Sequence, residues 1–271
     1  MALLDVSHLS VGFRMYRTFY QRVLGFAVDD LTISAEPGQI LGIVGASGSG
    51  KSLLAHAIMG LLPYNAQQRG EIWFDGELVT RDRVEALRRT ELALIPQSIG
   101  FLDPLKKVRH QLVEGRRLQH QPQVRRAGLN FRFGLLVSDL DKYPFQLSGG
   151  MARRILLATA LLSPARLIIA DEPTPGLSVK LAEQLLADFR ALADEGRCVI
   201  IISHDVDLIS AVADQVAILN RGRLVAQLSV YDFTHPDECE SDPYAKALWR
   251  ALPQNDFCTE VAGLDSKETA C

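Results

Sequence analysis

The chain has 271 residues, of which 48% are hydrophobic and 23% are charged, and its formal net charge is −3. These values are typical of one large α/β domain with an appendage, or of two small domains. They exclude a disordered chain, and the net negative charge gives no indication of nucleic-acid binding. The longest apolar run, residues 40–46, is far shorter than the roughly 20 residues of a membrane-spanning helix.

Apolar periodicity predicts an alternation of strands and helices along the chain. The run at residues 40–44 is continuous and apolar, which favours a parallel strand buried on both faces. The other predicted strands cover residues 3–6, 9–13, 31–34, 167–170, 198–202, 215–219 and 223–226. Helices are predicted at about residues 50–59, 149–162 and 178–195, and a further helix with a frayed tail follows residue 232.

Residues 97–147 differ in composition from the rest of the chain and are expected to form a mostly helical insert. Between residues 102 and 132, eight Lys and Arg side chains stand against two acids, a local charge of +6. Such a run most simply forms a solvated face of the protein. Docking onto another protein or near lipid headgroups is the alternative.

Residues 45–52 match the phosphate-binding pattern G-x-x-x-x-G-K-[ST] in full, between a predicted strand and a predicted helix. The glycines let successive backbone N–H groups point inward, and the helix N-terminus adds partial positive charge. We expect Lys51 to reach the β- and γ-phosphates and the Ser52 hydroxyl to ligate Mg²⁺. The predicted nucleotide-binding residues of this loop are Gly45, Ser47, Gly48, Ser49, Gly50, Lys51, Ser52 and Leu53.

Two acids, Asp171 and Glu172, follow the predicted strand at residues 167–170. Phosphates and metal ions bind beyond the carboxyl ends of parallel strands, so the acids are expected to lie beside the phosphate-binding loop. Asp171 suits Mg²⁺ ligation, and Glu172 suits the general base that polarises the attacking water. The two patterns together predict a nucleoside triphosphatase that uses ATP and Mg²⁺.

A second candidate for anion binding is Ser148-Gly149-Gly150, at the start of the predicted helix 149–162. One triphosphate does not need two such helix ends. We therefore expect this segment to contact the γ-phosphate of a nucleotide held by another chain, with a plain helix cap as the alternative.

The ordered set of motifs resembles the nucleotide-binding subunits of ABC transporters over about residues 1–253. This resemblance implies that Gln97 links Mg²⁺ and the γ-phosphate to a membrane partner, and that His204 acts as a switch at the γ-phosphate. It also implies an aromatic that stacks on adenine. Phe13 is the first candidate for this role, and Tyr16 and Tyr20 are rivals.

The resemblance implies an α/β fold of the P-loop NTPase ABC type, with a RecA-like parallel-sheet core and an N-terminal antiparallel β subdomain. Residues 1–230 would form the nucleotide-binding domain, with the helical insert at about residues 98–165. Residues 231–271 would form a C-terminal helix and tail. Expected partners are a second ATPase subunit, two transmembrane permease subunits and, indirectly, a substrate-binding protein.

Residues 242–253 are similar to the tail of the dipeptide, oligopeptide and nickel importer ATPases. Residues 51–53 and 143–151 are similar to the nickel and metal-opine members, which favours nickel or a metal chelate over a peptide as the cargo. The alternative is an accessory ATPase of a soluble complex of the carbon–phosphorus lyase type. Cys258 and Cys271 lack the spacing of the iron–sulfur extension that peptide importers often carry.

The N-terminus and the cysteines favour a reducing environment. Residues 1–5 have no basic segment of the secretory type, and no C-x-x-C pair occurs, so neither a zinc site nor a redox motif is expected. The resemblance then implies peripheral attachment at the cytoplasmic face of the bacterial inner membrane.

The chain departs from the family pattern at Ser178, where the family usually has an aspartate. This departure puts equal activity of both ATP sites in doubt.

Overall fold

The computed structural model describes residues 2–18, 21–113, 134–238 and 242–250. The strands in these ranges are Leu4–Thr18 (β1), Gln21–Ala35 (β2), Ile40–Gly45 (β3), Ala66–Phe74 (β4), Glu77–Leu78 (β5), Leu92–Ile95 (β6), Leu167–Asp171 (β7), Cys198–Ile202 (β8), Gln215–Asn220 (β9) and Arg223–Ser229 (β10). The α-helices are Lys51–Ile58 (α1), Arg81–Thr90 (α2), Val108–Val113 (α3), Gly149–Leu161 (α4), Val179–Asp194 (α5), Val206–Ser210 (α6), Val230–Thr234 (α7) and Pro243–Arg250 (α8). None of the helices in the described ranges is long and apolar enough to cross a bilayer.

A six-stranded sheet in the order β10-β9-β3-β8-β7-β6 forms the centre of the fold. Its strands run parallel except β10, which forms an antiparallel hairpin with β9. Every residue of β3, β7 and β8 is buried, and apart from Asp171 at the end of β7 these strands carry no charged or polar side chain. The parallel core predicted from the sequence is confirmed.

Successive side chains of the central strands enter two different hydrophobic cores. Ile40 and Val44 pack with α4, α5 and α6 on one face, while Leu41 and Ile43 pack with α1 on the other. A four-stranded antiparallel sheet, β2-β1-β4-β5, covers α1 on that second side. Helix α1 is therefore held between the two sheets, which fixes the loop that precedes it.

The N-terminal strands differ from the sequence prediction. The expected strands at residues 3–6 and 9–13 are one continuous strand, β1, so the prediction of two strands is wrong. The apolar alternation is interrupted because the register shifts at a β-bulge, where His8 has a φ of 51°. The region between residues 66 and 95, for which the sequence pattern predicted no element, contains β4, β5, α2 and β6.

The insert at residues 97–147 is described over residues 97–113 and 134–147, and its mostly helical character stays a prediction. It contains α3 and the 3₁₀ turns Ile99–Phe101, Val137–Asp141 and Pro144–Gln146, joined by irregular segments. Residues 114–133 and 251–271 lie outside the described residues, and with them five of the basic side chains of the insert and the tail beyond α8.

Gly42 in β3 lies directly against Ile209 of α6, and a Cβ at Gly42 would be 2.2 Å from Ile209 Cγ2. We expect Gly42→Ala to lower the free energy of unfolding by about 1–3 kcal/mol through overpacking, and Ile209→Ala by about 2–5 kcal/mol through a cavity. The double variant should lose less stability than the sum of the losses in the two single variants, because the new methyl group at residue 42 fills the space left by the Ile209 side chain. Urea unfolding of the four proteins measures this coupling, and strictly additive costs would contradict the contact.

Candidate functional site

A cavity of about 520 Å³ opens where β3, β7 and β8 end at the same edge of the sheet. All of its lining residues belong to the set predicted from the sequence. They are Ser47, Gly48, Ser49, Gly50, Lys51, Ser52, Leu53, Gln97, Asp171, Glu172 and His204. Residues separated by more than 150 positions therefore meet at one place because parallel strands share their carboxyl ends.

The loop between β3 and α1 requires glycine at two positions. Gly45 and Gly50 have φ values of 152° and 96°, and a Cβ at these positions would lie 2.1 Å from the Leu219 carbonyl oxygen and 2.8 Å from the Ala27 carbonyl oxygen. Gly50 is also the N-cap of α1, and no side chain in the described part of the chain caps this helix. The N-terminal N–H groups of α1 are therefore left for an anion.

Lys51 is 8% exposed, and its ammonium group is held by the loop itself. Nζ donates hydrogen bonds to the carbonyl oxygens of Gly45 (2.7 Å) and Ala46 (2.9 Å) and to Ser49 Oγ (3.4 Å). Burial lowers the pKa of Lys51, and the charges of Glu172 and Asp171 act against this shift. The result is a fixed positive charge in the wall of the cavity.

Asp171, at the end of β7, is 4% exposed, and its Oδ1 has no hydrogen-bond partner among the described residues. Burial raises the pKa of Asp171, and a hydrogen bond from the Ser52 hydroxyl partly offsets that shift. An unpartnered carboxylate oxygen beside a hydroxyl is the kind of oxygen ligand set that Mg²⁺ prefers. The residues present therefore fit a Mg²⁺ ion.

Glu172 is bound to the segment that follows β8. Its Oε1 lies 2.7 Å from His204 Nδ1 and accepts a hydrogen bond from the His204 backbone N–H at 3.1 Å. Among the described residues, its Oε2 makes one longer contact, 3.5 Å, with the hydroxyl of Ser203. Glu172 also has a φ of 47°, an unusual value for a residue with a side chain. The carboxylate is thus oriented by two strand ends at once.

Two residues that the sequence analysis gave no role take part in the site. Ser203 contacts Glu172, and the buried Arg153 donates hydrogen bonds to the backbone of residues 96, 97 and 172. A helical signal for Arg153 exists in the sequence. At helical spacing, Arg153 lies on the same face as Leu156, Leu157 and Ala160, which are all buried. This spacing therefore indicates that Arg153 is buried too.

Ser148, Gly149 and Gly150 lie outside the large cavity and are exposed. Ser148 is the N-cap of α4, and its Oγ accepts a hydrogen bond from the Met151 backbone N–H at 3.3 Å. Gly149 and Gly150 line a smaller cavity of about 190 Å³, which Gln97 and Glu172 also line. The helix cap predicted as the simpler alternative is present, and the glycines beside it stay open to solvent.

The predicted adenine-stacking residue is not part of the cavity lining. Phe13 lies in β1 opposite Gly25 and Ala66 and packs partly against the second hydrophobic core. The side chain of Tyr16 and all of Tyr20 lie outside the described residues. Gly45 also lies outside the lining, where it forms the turn at the end of β3. The stacking role of Phe13 stays a prediction.

Comparisons with solved structures support the fold. A structure of the ATP-binding subunit of an ABC transporter, 25% identical, has a TM-score of 0.72 and covers 87% of this chain and 93% of its own. The dimeric ATP-binding cassette MJ0796 bound to ADP and Pi, 22% identical, has a TM-score of 0.72 over 84% of this chain and 98% of its own. The α/β class predicted from the motifs is confirmed.

Sequence comparisons identify the family. The family model for ABC transporters matches residues 28–175. The chain is 34% identical to a putative peptide import ATP-binding protein of Brucella melitensis, with 94% of this chain and 78% of that protein covered. It is 34% identical to the dipeptide transport ATP-binding protein DppD of Escherichia coli, with 94% and 79% covered. The chain thus belongs to the ATP-binding subunits of ABC transporters and is an ATPase of that type.

Proposed function

We propose that this chain binds Mg·ATP in the 520 Å³ cavity, hydrolyses it there, and thereby energises the import of small peptides through separate membrane subunits. The observation that carries the proposal is the convergence of Lys51, Asp171 and Glu172 on one cavity at the carboxyl edge of the sheet. These are the cation, the metal ligand and the base that phosphoryl transfer to water requires.

The loop after β3 would bind the phosphates. Lys51 is already fixed in the loop, and the free N–H groups of α1 point out of its N-terminus. Ser52 and Asp171 would hold Mg²⁺, with the Gln97 side chain as a further ligand from the cavity wall. Bound there, the ion would supply positive charge to the β- and γ-phosphate oxygens.

Glu172 would orient the attacking water and take its proton. His204 engages Oε1 through both its ring and its backbone N–H, which leaves Oε2 as the oxygen less occupied by the described residues. Oε2 is therefore the atom at which the proton would be accepted. His204 would hold the carboxylate in this orientation and lie beside the γ-phosphate, since it lines the same cavity.

A second ATPase chain would complete the site. Ser148, Gly149 and Gly150 are exposed and do not line the cavity that contains Lys51, so within one chain they do not contact the same nucleotide. In a pair of chains, each segment would face the γ-phosphate held by the other. MJ0796, which shares the fold, is dimeric with ADP and Pi bound.

Small peptides are the cargo that the relatives favour. The oligopeptide transport ATP-binding protein OppD of Lactococcus lactis subsp. cremoris is 35% identical, with 93% of this chain and 76% of that protein covered. The names of the relatives favour import over a carbon–phosphorus lyase type of complex. Nickel or a metal chelate, inferred from residues 51–53 and 143–151, stays a prediction. The chain would act at the cytoplasmic face of the inner membrane with two permeases and a substrate-binding protein.

The cargo can be tested in the assembled transporter with its binding protein, by measuring ATP turnover with dipeptides, oligopeptides or a nickel chelate. We expect peptides to stimulate turnover and the chelate to leave it at the basal level. Stimulation by the chelate alone would overturn the peptide assignment, and co-purification with soluble enzyme subunits instead of permeases would overturn import.

Glu172→Gln tests the base. The amide keeps the size and the hydrogen bond from the His204 backbone but cannot accept a proton, so turnover should fall by about 100-fold or more. ATP binding should be retained, and an ATP-bound pair of chains should accumulate. Size-exclusion chromatography with ATP and steady-state kinetics measure both effects. Glu183→Gln on the exposed face of α5 is the matched control, and wild-type turnover in Glu172→Gln would show that the base lies elsewhere.

Ser178→Asp tests the departure from the family pattern. Ser178 is the N-cap of α5, and its side chain makes no capping hydrogen bond. An aspartate there should raise the free energy of unfolding by about 0.5 kcal/mol through the helix dipole. If the serine weakens one ATP site, turnover should also rise. Ser178→Ala removes the hydroxyl without adding a charge, and so separates the effect on stability from the effect on turnover. Higher stability with unchanged turnover in Ser178→Asp would show that the departure is neutral for catalysis.

A further inference from the structure

Arg153, on the first turns of α4, is 6% exposed and is hydrogen-bonded to the backbone of two other segments. Its Nη1 donates to the carbonyl oxygens of Pro96 and Gln97, both at 2.8 Å. Its Nη2 donates to the carbonyl oxygen of Glu172. One guanidinium therefore joins α4, the helix capped by Ser148, to the two segments that carry Gln97 and Glu172.

The positive charge of a buried guanidinium must be compensated, and the carboxylates of Asp171 and Glu172 compensate that of Arg153. Burial lowers the pKa of Arg153, while the negative charges of Asp171 and Glu172 act against this shift. Arginine presents several N–H donors in one rigid plane, so it can span two segments where a lysine ammonium acts as a single point. Nε is buried without a hydrogen-bond partner among the described residues.

Two of the carbonyl groups that Arg153 binds belong to Gln97 and Glu172, the proposed Mg²⁺ ligand and the proposed base of ATP hydrolysis. Glu172 has a φ of 47°, and its backbone is held on both sides, because its N–H donates to the Ile202 carbonyl oxygen at 2.9 Å and its carbonyl oxygen accepts from Arg153. The side chains of Gln97 and Glu172 line the large cavity. A shift of the guanidinium would therefore move both side chains relative to a bound phosphate.

We propose that Arg153 is a positioning residue that couples two ATP sites. Arg153 already holds the backbone of Gln97 and Glu172, so a displacement of α4 when Ser148–Gly150 contacts the partner chain's nucleotide would pass through Arg153 to both residues at the chain's own nucleotide. The proposal rests on the shared sites of the proposed function. It adds a direct mechanical link, since Gly149, Gly150, Arg153, Gln97 and Glu172 also line the same 190 Å³ cavity.

The test is kinetic and uses the full chain in its assembled transporter. Arg153→Met should lower kcat by about 10- to 100-fold, because Gln97 and Glu172 lose their fixed positions. Equilibrium binding of a fluorescent ATP analogue should stay within about twofold, because Arg153 is not part of the cavity lining around Lys51. The Hill coefficient for ATP should fall towards 1, because the link between the sites is lost.

Two further variants keep the test decisive. Arg153→Lys retains the charge but not the planar fork, and it should give an intermediate kcat of about 3- to 10-fold below wild type. Arg197→Met removes a guanidinium that donates to the Ser163 carbonyl oxygen at 2.8 Å, outside both cavity linings, and it should keep kcat and the Hill coefficient.

Several results would overturn the inference. A folded Arg153→Met or Arg153→Lys protein with wild-type kcat and Hill coefficient would do so, and so would an equal loss of kcat in Arg197→Met. A fall in ATP affinity that matches the fall in kcat would assign Arg153 to binding instead. Wild-type protein without ATP turnover would overturn the proposed function itself, which separates the two failures.

Discussion

The site depends on the mutual compensation of four buried charges. Lys51, Arg153, Asp171 and Glu172 are each between 4% and 8% exposed, and a buried charge without a partner is strongly destabilising. Two cations and two carboxylates offset one another, as the opposing effects on the pKa values of Lys51, Arg153 and Asp171 show. Because the four side chains are shielded from solvent, their electrostatic interactions are stronger than they would be in water.

The order of the strands brings these charges together. Because β7, β8 and β3 are neighbours and parallel, the loop with Lys51, the pair Asp171 and Glu172, and the turn with His204 emerge at one edge. Helix α4 then places Arg153 against the same edge from the side of the first hydrophobic core. The exposed start of α4 and the catalytic residues are thus parts of one connected arrangement.

The sequence predicted the parts of the site that follow an apolar strand, because burial on both faces leaves a clear pattern. It missed β4, in which only Ile72 and Phe74 are buried, and α2, in which only Val84 and Leu87 are buried. The bulge at His8 could not be read from a pattern with a period of two. The contacts of Arg153 with distant backbone carbonyls depend on the folded chain, so periodicity indicates its burial but not its partners.

The most direct test compares Lys51→Met with Gly149→Asp. A side chain at Gly149 has open space around it, and its negative charge would repel a phosphate. Binding of a fluorescent ATP analogue to the isolated chain and ATP turnover in the assembled transporter should be measured for both variants. We predict that Lys51→Met loses nucleotide binding, whereas Gly149→Asp binds as the wild type does and loses turnover at the site it shares with the partner chain. Equal loss of binding in both variants would show that one chain holds the whole site.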